Sequence, residues 1–95
     1  MELKDLRDQI DIIDNELVGL FKKRMELSAK IADYKKAHNM PIFVPAREQE
    51  ILEAVVQKAG PNMSDYVTEL YSLIFELSKS HQTKRSTAAD RSVDF

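Results

Sequence analysis

The chain has 95 residues, 43% of them hydrophobic and 32% charged, with a formal net charge of −2 and no cysteine. That bounds it to one small domain, excludes disulfides and thiolate metal sites, and argues against a nucleic-acid platform, which needs a basic surface. Two histidines are too few for a convincing metal cluster, and no apolar run approaches the roughly 20 residues of a membrane span.

The first predicted element is a helix from about Leu3 to about His38. Leu6, Ile10, Ile13, Leu17, Leu20, Phe21, Leu27 and Ile31 recur along it at helical spacing. Its length is roughly 50 Å at 1.5 Å per residue. Gly19, inside it, costs about 1 kcal/mol relative to Ala and reads either as a point of close helix approach or as a tolerated surface position. The N-terminal segment is amphipathic and acidic, unlike a signal peptide, so the cytoplasm is the expected compartment.

Asn39-Met40-Pro41-Ile42-Phe43-Val44-Pro45 breaks the pattern, because each proline disfavours helix in the residue before it. Pro45 is suited to open a second helix. That helix carries Ile51, Leu52, Val55 and Val56 on one side and stops at Gly60-Pro61. Ser64 or Asn62 can cap a third helix, whose stripe is Val67, Leu70, Tyr71, Ile74 and Leu77. Beyond about Gln82 the periodicity ends. Residues 1–83 are therefore read as the domain and 84–95 as a polar, disordered tail. The fold class is all-α. Helices two and three together are about as long as helix one, so a single chain makes a two-layer slab with much of the first stripe wet. A second copy is the simplest cover, and a homodimer is expected.

Polar residues interrupt all three stripes. At about 100° per residue the stripe of helix one centres near 240°, with Arg24 at about 240° and Lys35 at about 260°. Burying a cation costs several kcal/mol unless it is paired. The chain must supply a counter-charge or leave a gap for an anionic ligand. Ser28 lies between Arg24 and Ile31 on the same helix. Glu48 lies within about 40° of Leu52 and Val55, and the third stripe continues as Ser78 and Gln82. Arg7, at about 340°, flanks its stripe and can reach a partner chain. Each has an ordinary reading on its own. Arg24 can snorkel or pair with Glu48, Lys35 and Glu48 suit helix dipoles, and Ser78, Gln82 and Arg7 can be solvated. Jointly they point to a net-positive pocket for a small dianion, with no nucleophilic triad and no metal.

The ordered set Leu6-Arg7-x-x-Ile10-Asp11-x-Ile13-Asp14-x-x-Leu17, Arg24, Ile31-Ala32-x-Tyr34-Lys35-Lys36, Pro41-Ile42-Phe43-Val44-Pro45-x-Arg47-Glu48 and Ser78-x-x-x-Gln82 closely resembles the AroQ-type, all-helical chorismate mutases. The resemblance covers about residues 3–83. It implies an intertwined six-helix homodimer of protomers with one long, one short and one medium helix. Each of two equivalent sites would take its residues mainly from one protomer and one arginine from the other. The implied activity is the intramolecular pericyclic (Claisen) rearrangement of chorismate to prephenate in phenylalanine and tyrosine biosynthesis. No cofactor is needed.

Carried over by resemblance, Arg24 grips one substrate carboxylate and Arg7, from the partner protomer, the other. Lys35 contacts the ether oxygen and a carboxylate, and the Gln82 amide assists at that oxygen. Glu48 accepts from the substrate hydroxyl, Ser78 lies near a carboxylate, and Arg47 supports Glu48. Val44 stands where several relatives have Asp: acting through its backbone N–H it serves as well, whereas a role for the carboxylate would leave hydroxyl binding weaker here. An isochorismate pyruvate-lyase shares this architecture, but Gln82 together with Glu48 favours the mutase. A helical dimerisation or regulatory module, once fused to another enzyme of the pathway, is the reading from a different class.

Overall fold

The computed structural model describes the backbone of residues 2–93 and the side chains of residues 2–85. Helices account for most of it: α1 (Leu3–Ala37), α2 (Pro45–Ala59) and α3 (Ser64–Val93).

Local chemistry sets the ends. At the end of α1 the Met40 N–H donates to the Lys35 carbonyl at 2.8 Å and the Asn39 N–H to the Lys36 carbonyl at 3.3 Å. This Schellman pattern needs a left-handed residue just past the helix, and Asn39 takes it with φ 56°. The chain then runs without regular structure, bending at Ile42, to the extended Val44, the N-cap of α2, with Pro45 in the first turn. Gly60 ends α2 at φ 81°, ψ 169°, a conformation essentially reserved for glycine. Ser64 begins α3, and its hydroxyl donates to the Pro61 carbonyl at 3.2 Å.

α3 runs past the expected stop near Gln82, and the described backbone is helical through Val93. Asp94 and Phe95 lie outside the described residues. Residues 83–93 contain no Gly or Pro to break a helix. Arg85 also ties this stretch to α1, reaching the Asp33 carboxylate at 2.9 Å and the Ala29 carbonyl at 3.4 Å.

α3 packs against both α2 and α1, most extensively α2. Where it crosses α1 the buried residues are small: Ala29 and Ala32 on α1 and Ser78 on α3. They admit close approach and little else. Among the described residues no large side chain is fully buried. Residues 3–18 of α1 are exposed throughout, and Leu6, Ile10, Ile13, Leu17 and Leu20 lie bare. The overall extents are 59 × 31 × 16 Å, the thinnest little more than the 10–12 Å diameter of one helix. The radius of gyration is 17.3 Å, against about 12 Å for a compact chain of this length.

Candidate functional site

One pocket of about 290 Å³ lies where the three helices converge. α1 lines it with Arg24, Leu27, Ser28, Ile31, Ala32 and Lys35, which share a face because they step by three or four residues. α3 contributes Phe75, Ser78, Lys79 and Gln82 by the same spacing. The connector supplies Ile42, Phe43 and Val44, and the start of α2 supplies Arg47, Glu48 and Ile51. The connector is fixed from one side by Lys35, whose Nζ donates to the Ile42 carbonyl at 3.3 Å. At the α2 N-terminus the Val44 carbonyl accepts from the N–H groups of Arg47 at 3.0 Å and Glu48 at 3.4 Å. Glu48 is thereby held in the first turn, where a carboxylate is favoured by the helix dipole.

Four cations line this volume against one carboxylate. Arg24 is half-buried, and its guanidinium lies 5.7 Å from the ring centroids of both Tyr71 and Phe75, a contact that orients a cation without neutralising it. Neither Arg24 nor Lys35 has a carboxylate partner among the described residues. The pairing of Arg24 with Glu48 that the sequence allowed does not occur. Glu48 instead pairs with Lys79, whose Nζ is 2.9 Å from Oε1 and 3.3 Å from Oε2. The same ammonium lies 5.7 Å from the Phe43 ring centroid.

The neutral groups are weakly engaged. Ser78 is buried, and among the described residues its hydroxyl donates only to the Met25 thioether at 3.5 Å, a weak acceptor. Gln82 Oε1 is buried without a hydrogen-bond partner. An unsatisfied buried amide oxygen costs about 1–3 kcal/mol, which only a hydrogen-bond donor would recover. The site thus offers two unmatched cations and spare hydrogen-bonding groups on apolar walls. That inventory fits a small polyanionic molecule.

A family model described as chorismate mutase type II matches residues 6–83. The chain belongs to the type II chorismate mutase family. Among its relatives, the T-protein of Haemophilus influenzae is 46% identical over 61 residues, covering 61% of this chain and 16% of that protein. The bifunctional chorismate mutase/prephenate dehydratase of Aquifex aeolicus is 45% identical over 56 residues, covering 59% of this chain and 16% of its own length. The chain therefore spans about a sixth of these longer proteins. The 4-amino-4-deoxychorismate mutase of Streptomyces venezuelae is comparable in size, 29% identical over 77% of this chain and 73% of that one. No solved structure matches.

Of the residues that the chorismate mutase resemblance selects, Arg24, Lys35, Val44, Arg47, Glu48, Ser78 and Gln82 all line the pocket. Arg7 does not. It lies 17 residues from Arg24 on the same helix, about 25 Å along the axis. Arg47 sits at the rim but its ion pair is with Glu50, at 3.2 Å between two exposed side chains, so its expected support of Glu48 is supplied by Lys79 instead. Residues three apart on a helix are surface neighbours, which accounts for the Arg47–Glu50 pair. Lys79 was not legible as a site residue, although its position one residue after Ser78 and three before Gln82 puts it on the pocket face of α3.

Proposed function

We propose that this chain is a chorismate mutase that converts chorismate to prephenate, acting in the cytoplasm as a homodimer with Arg7 of each protomer completing the pocket of the other. The observation that carries the reading is the pair of cations without a carboxylate partner, Arg24 and Lys35, lining one small pocket together with Glu48, Ser78 and Gln82. Membership of the type II chorismate mutase family supports it.

The dimer follows from what one chain leaves uncovered. Two copies of α1 crossing antiparallel near residue 18 would set Arg7 of one opposite about residue 29 of the other. That is the middle of the pocket-lining stretch from Arg24 to Lys35. Gly19 then falls at the crossing, and nothing lies within 4 Å of a Cβ built there, which leaves room for a close helix. The same arrangement covers the bare stripe from Leu6 to Leu20.

The chemistry asks for little beyond position and charge. In chorismate a carbon–oxygen ether bond breaks as a carbon–carbon bond forms, in one unimolecular step with no proton transfer. Arg24 and the partner's Arg7 take the two carboxylates and hold the folded conformer in which the reacting carbons meet. Lys35 and the amide N–H of Gln82 meet the negative charge that grows on the ether oxygen. Glu48 accepts the substrate hydroxyl proton in a hydrogen bond, and Ser78 donates to a carboxylate. Enhancement near the low end of the enzymatic range, about 10⁶ or ~8 kcal/mol, is within reach of such positioning and electrostatics.

Loss of chorismate absorbance, with acid conversion of the product to phenylpyruvate, tests the reading. Release of pyruvate from isochorismate in its place would assign a lyase. A folded dimer that consumes neither compound would leave an inert helical module.

A further inference from the structure

We infer that Lys79 makes the pocket select a substrate that presents a neutral hydroxyl, rather than an amine, to Glu48. This rests on the chorismate mutase reading and deepens it. Lys79 is pinned from two directions, by both Glu48 oxygens at 2.9 and 3.3 Å and by the Phe43 ring 5.7 Å away. It therefore stands beside the one carboxylate in the pocket lining.

A carboxylate has about four lone-pair sites. Lys79 uses part of that capacity, and the remainder still accepts an O–H. A neutral hydroxyl needs only an acceptor, so the Lys79 charge costs it little. An amine at neutral pH arrives as an ammonium. Its attraction to Glu48 is offset by the like charge of Lys79 a few ångströms away, while Arg24 and Lys35 are answered by the substrate's own carboxylates in either compound. The side chains of Lys79 and Glu48 are 44% and 29% exposed, so solvent moderates the discrimination to about tenfold rather than thousands. Lys79 acts through Glu48 and is a specificity-determining residue, not one that meets the reacting atoms.

The test compares chorismate with 4-amino-4-deoxychorismate, in which an amine replaces the hydroxyl, using the full chain. Lys79→Met removes the charge and keeps the stem, and Lys79→Arg keeps the charge. The ratio of kcat/KM for the amine over the hydroxyl substrate should rise about tenfold in Lys79→Met and stay within threefold of wild type in Lys79→Arg. A purely structural role would depress both substrates alike, so a ratio that moves by threefold or less in Lys79→Met overturns the inference. Should Lys79→Met lose its helical circular dichroism, Lys79→Gln carries the same test. Calorimetric affinities for the two compounds give the ratio without turnover. Wild-type protein that binds but converts neither would overturn the proposed activity, while its affinity ratio against Lys79→Met would still decide the role of Lys79.

Discussion

Leu17→Glu separates a chain that works alone from one that works as a pair. Within a single chain Leu17 is 57% exposed, and a surface substitution of that kind changes stability by only about 0.5 kcal/mol. In the antiparallel crossing proposed for α1, position 17 lies in the seam and occurs twice. Burying the exposed half of a leucine is worth about 1 kcal/mol per chain. A carboxylate left in the same seam costs at least about 1 kcal/mol more per chain, even where it swings partly to water. The two chains together lose about 4 kcal/mol, or roughly 10³ in the dimer dissociation constant. Sedimentation equilibrium over a dilution series, with activity measured on the same samples, reads this directly. Wild type should remain a dimer at micromolar concentration. Leu17→Glu should dissociate and lose helical signal together, because so few apolar residues are buried within one chain. A variant with wild-type mass, melting temperature and turnover would refute the seam, as would a wild-type protein that is monomeric and active.

Further expectations follow from the site. Lys35→Ala should lower kcat/KM by about 10²–10³, the scale of losing one donor to a developing oxyanion; activity within threefold of wild type in a folded dimer would remove Lys35 from the ether oxygen. Arg7→Ala and Arg24→Ala, each inactive alone, should regain activity when unfolded and refolded together, since one site of the heterodimer then holds both arginines; confirmed heterodimers without activity would put both arginines in one protomer's site. Val44→Asp should raise the melting temperature by a few degrees, because Val44 is an N-cap with the extended backbone that position requires, φ −122° and ψ 97°, but no side-chain acceptor, and a capping side chain contributes about 1 kcal/mol. An unchanged melting temperature would mean that the α2 N-terminus is already satisfied by other groups.

The helix boundaries were legible where covalent chemistry dictates them. Pro45 opens α2 because its fixed φ and missing N–H suit the first helical turn, and Gly60 closes it because few other residues tolerate φ 81°, ψ 169°. The expected end of α1 near His38 and the observed end at Ala37 differ by a single residue. Asn39 was harder to read, since asparagine permits the left-handed conformation without requiring it. The far end of α3 was missed for another reason. Hydrophobic periodicity reports only helices with an apolar face, and the polar ties of Arg85 to Asp33 and the Ala29 carbonyl carry no such signal.

The site divides along the same line. Periodicity says which residues share a face, so it gathered Arg24, Ser28 and Lys35 on α1, and Ser78 and Gln82 on α3, with no structure in hand. What it cannot say is which group answers a given charge, because that depends on how far apart two packed helices set their side chains. Arg24 and Glu48 were a plausible pair on the wheel, yet packing gives Glu48 to Lys79, 31 residues away on α3. That exchange leaves Arg24 against two aromatic rings, and Lys35 on a backbone carbonyl, with neither neutralised. Arg24, Lys35 and Lys79 are all half-buried, so any of the three could have taken the one carboxylate. Placing Glu48 on Lys79 instead keeps both α1 cations available for an anion.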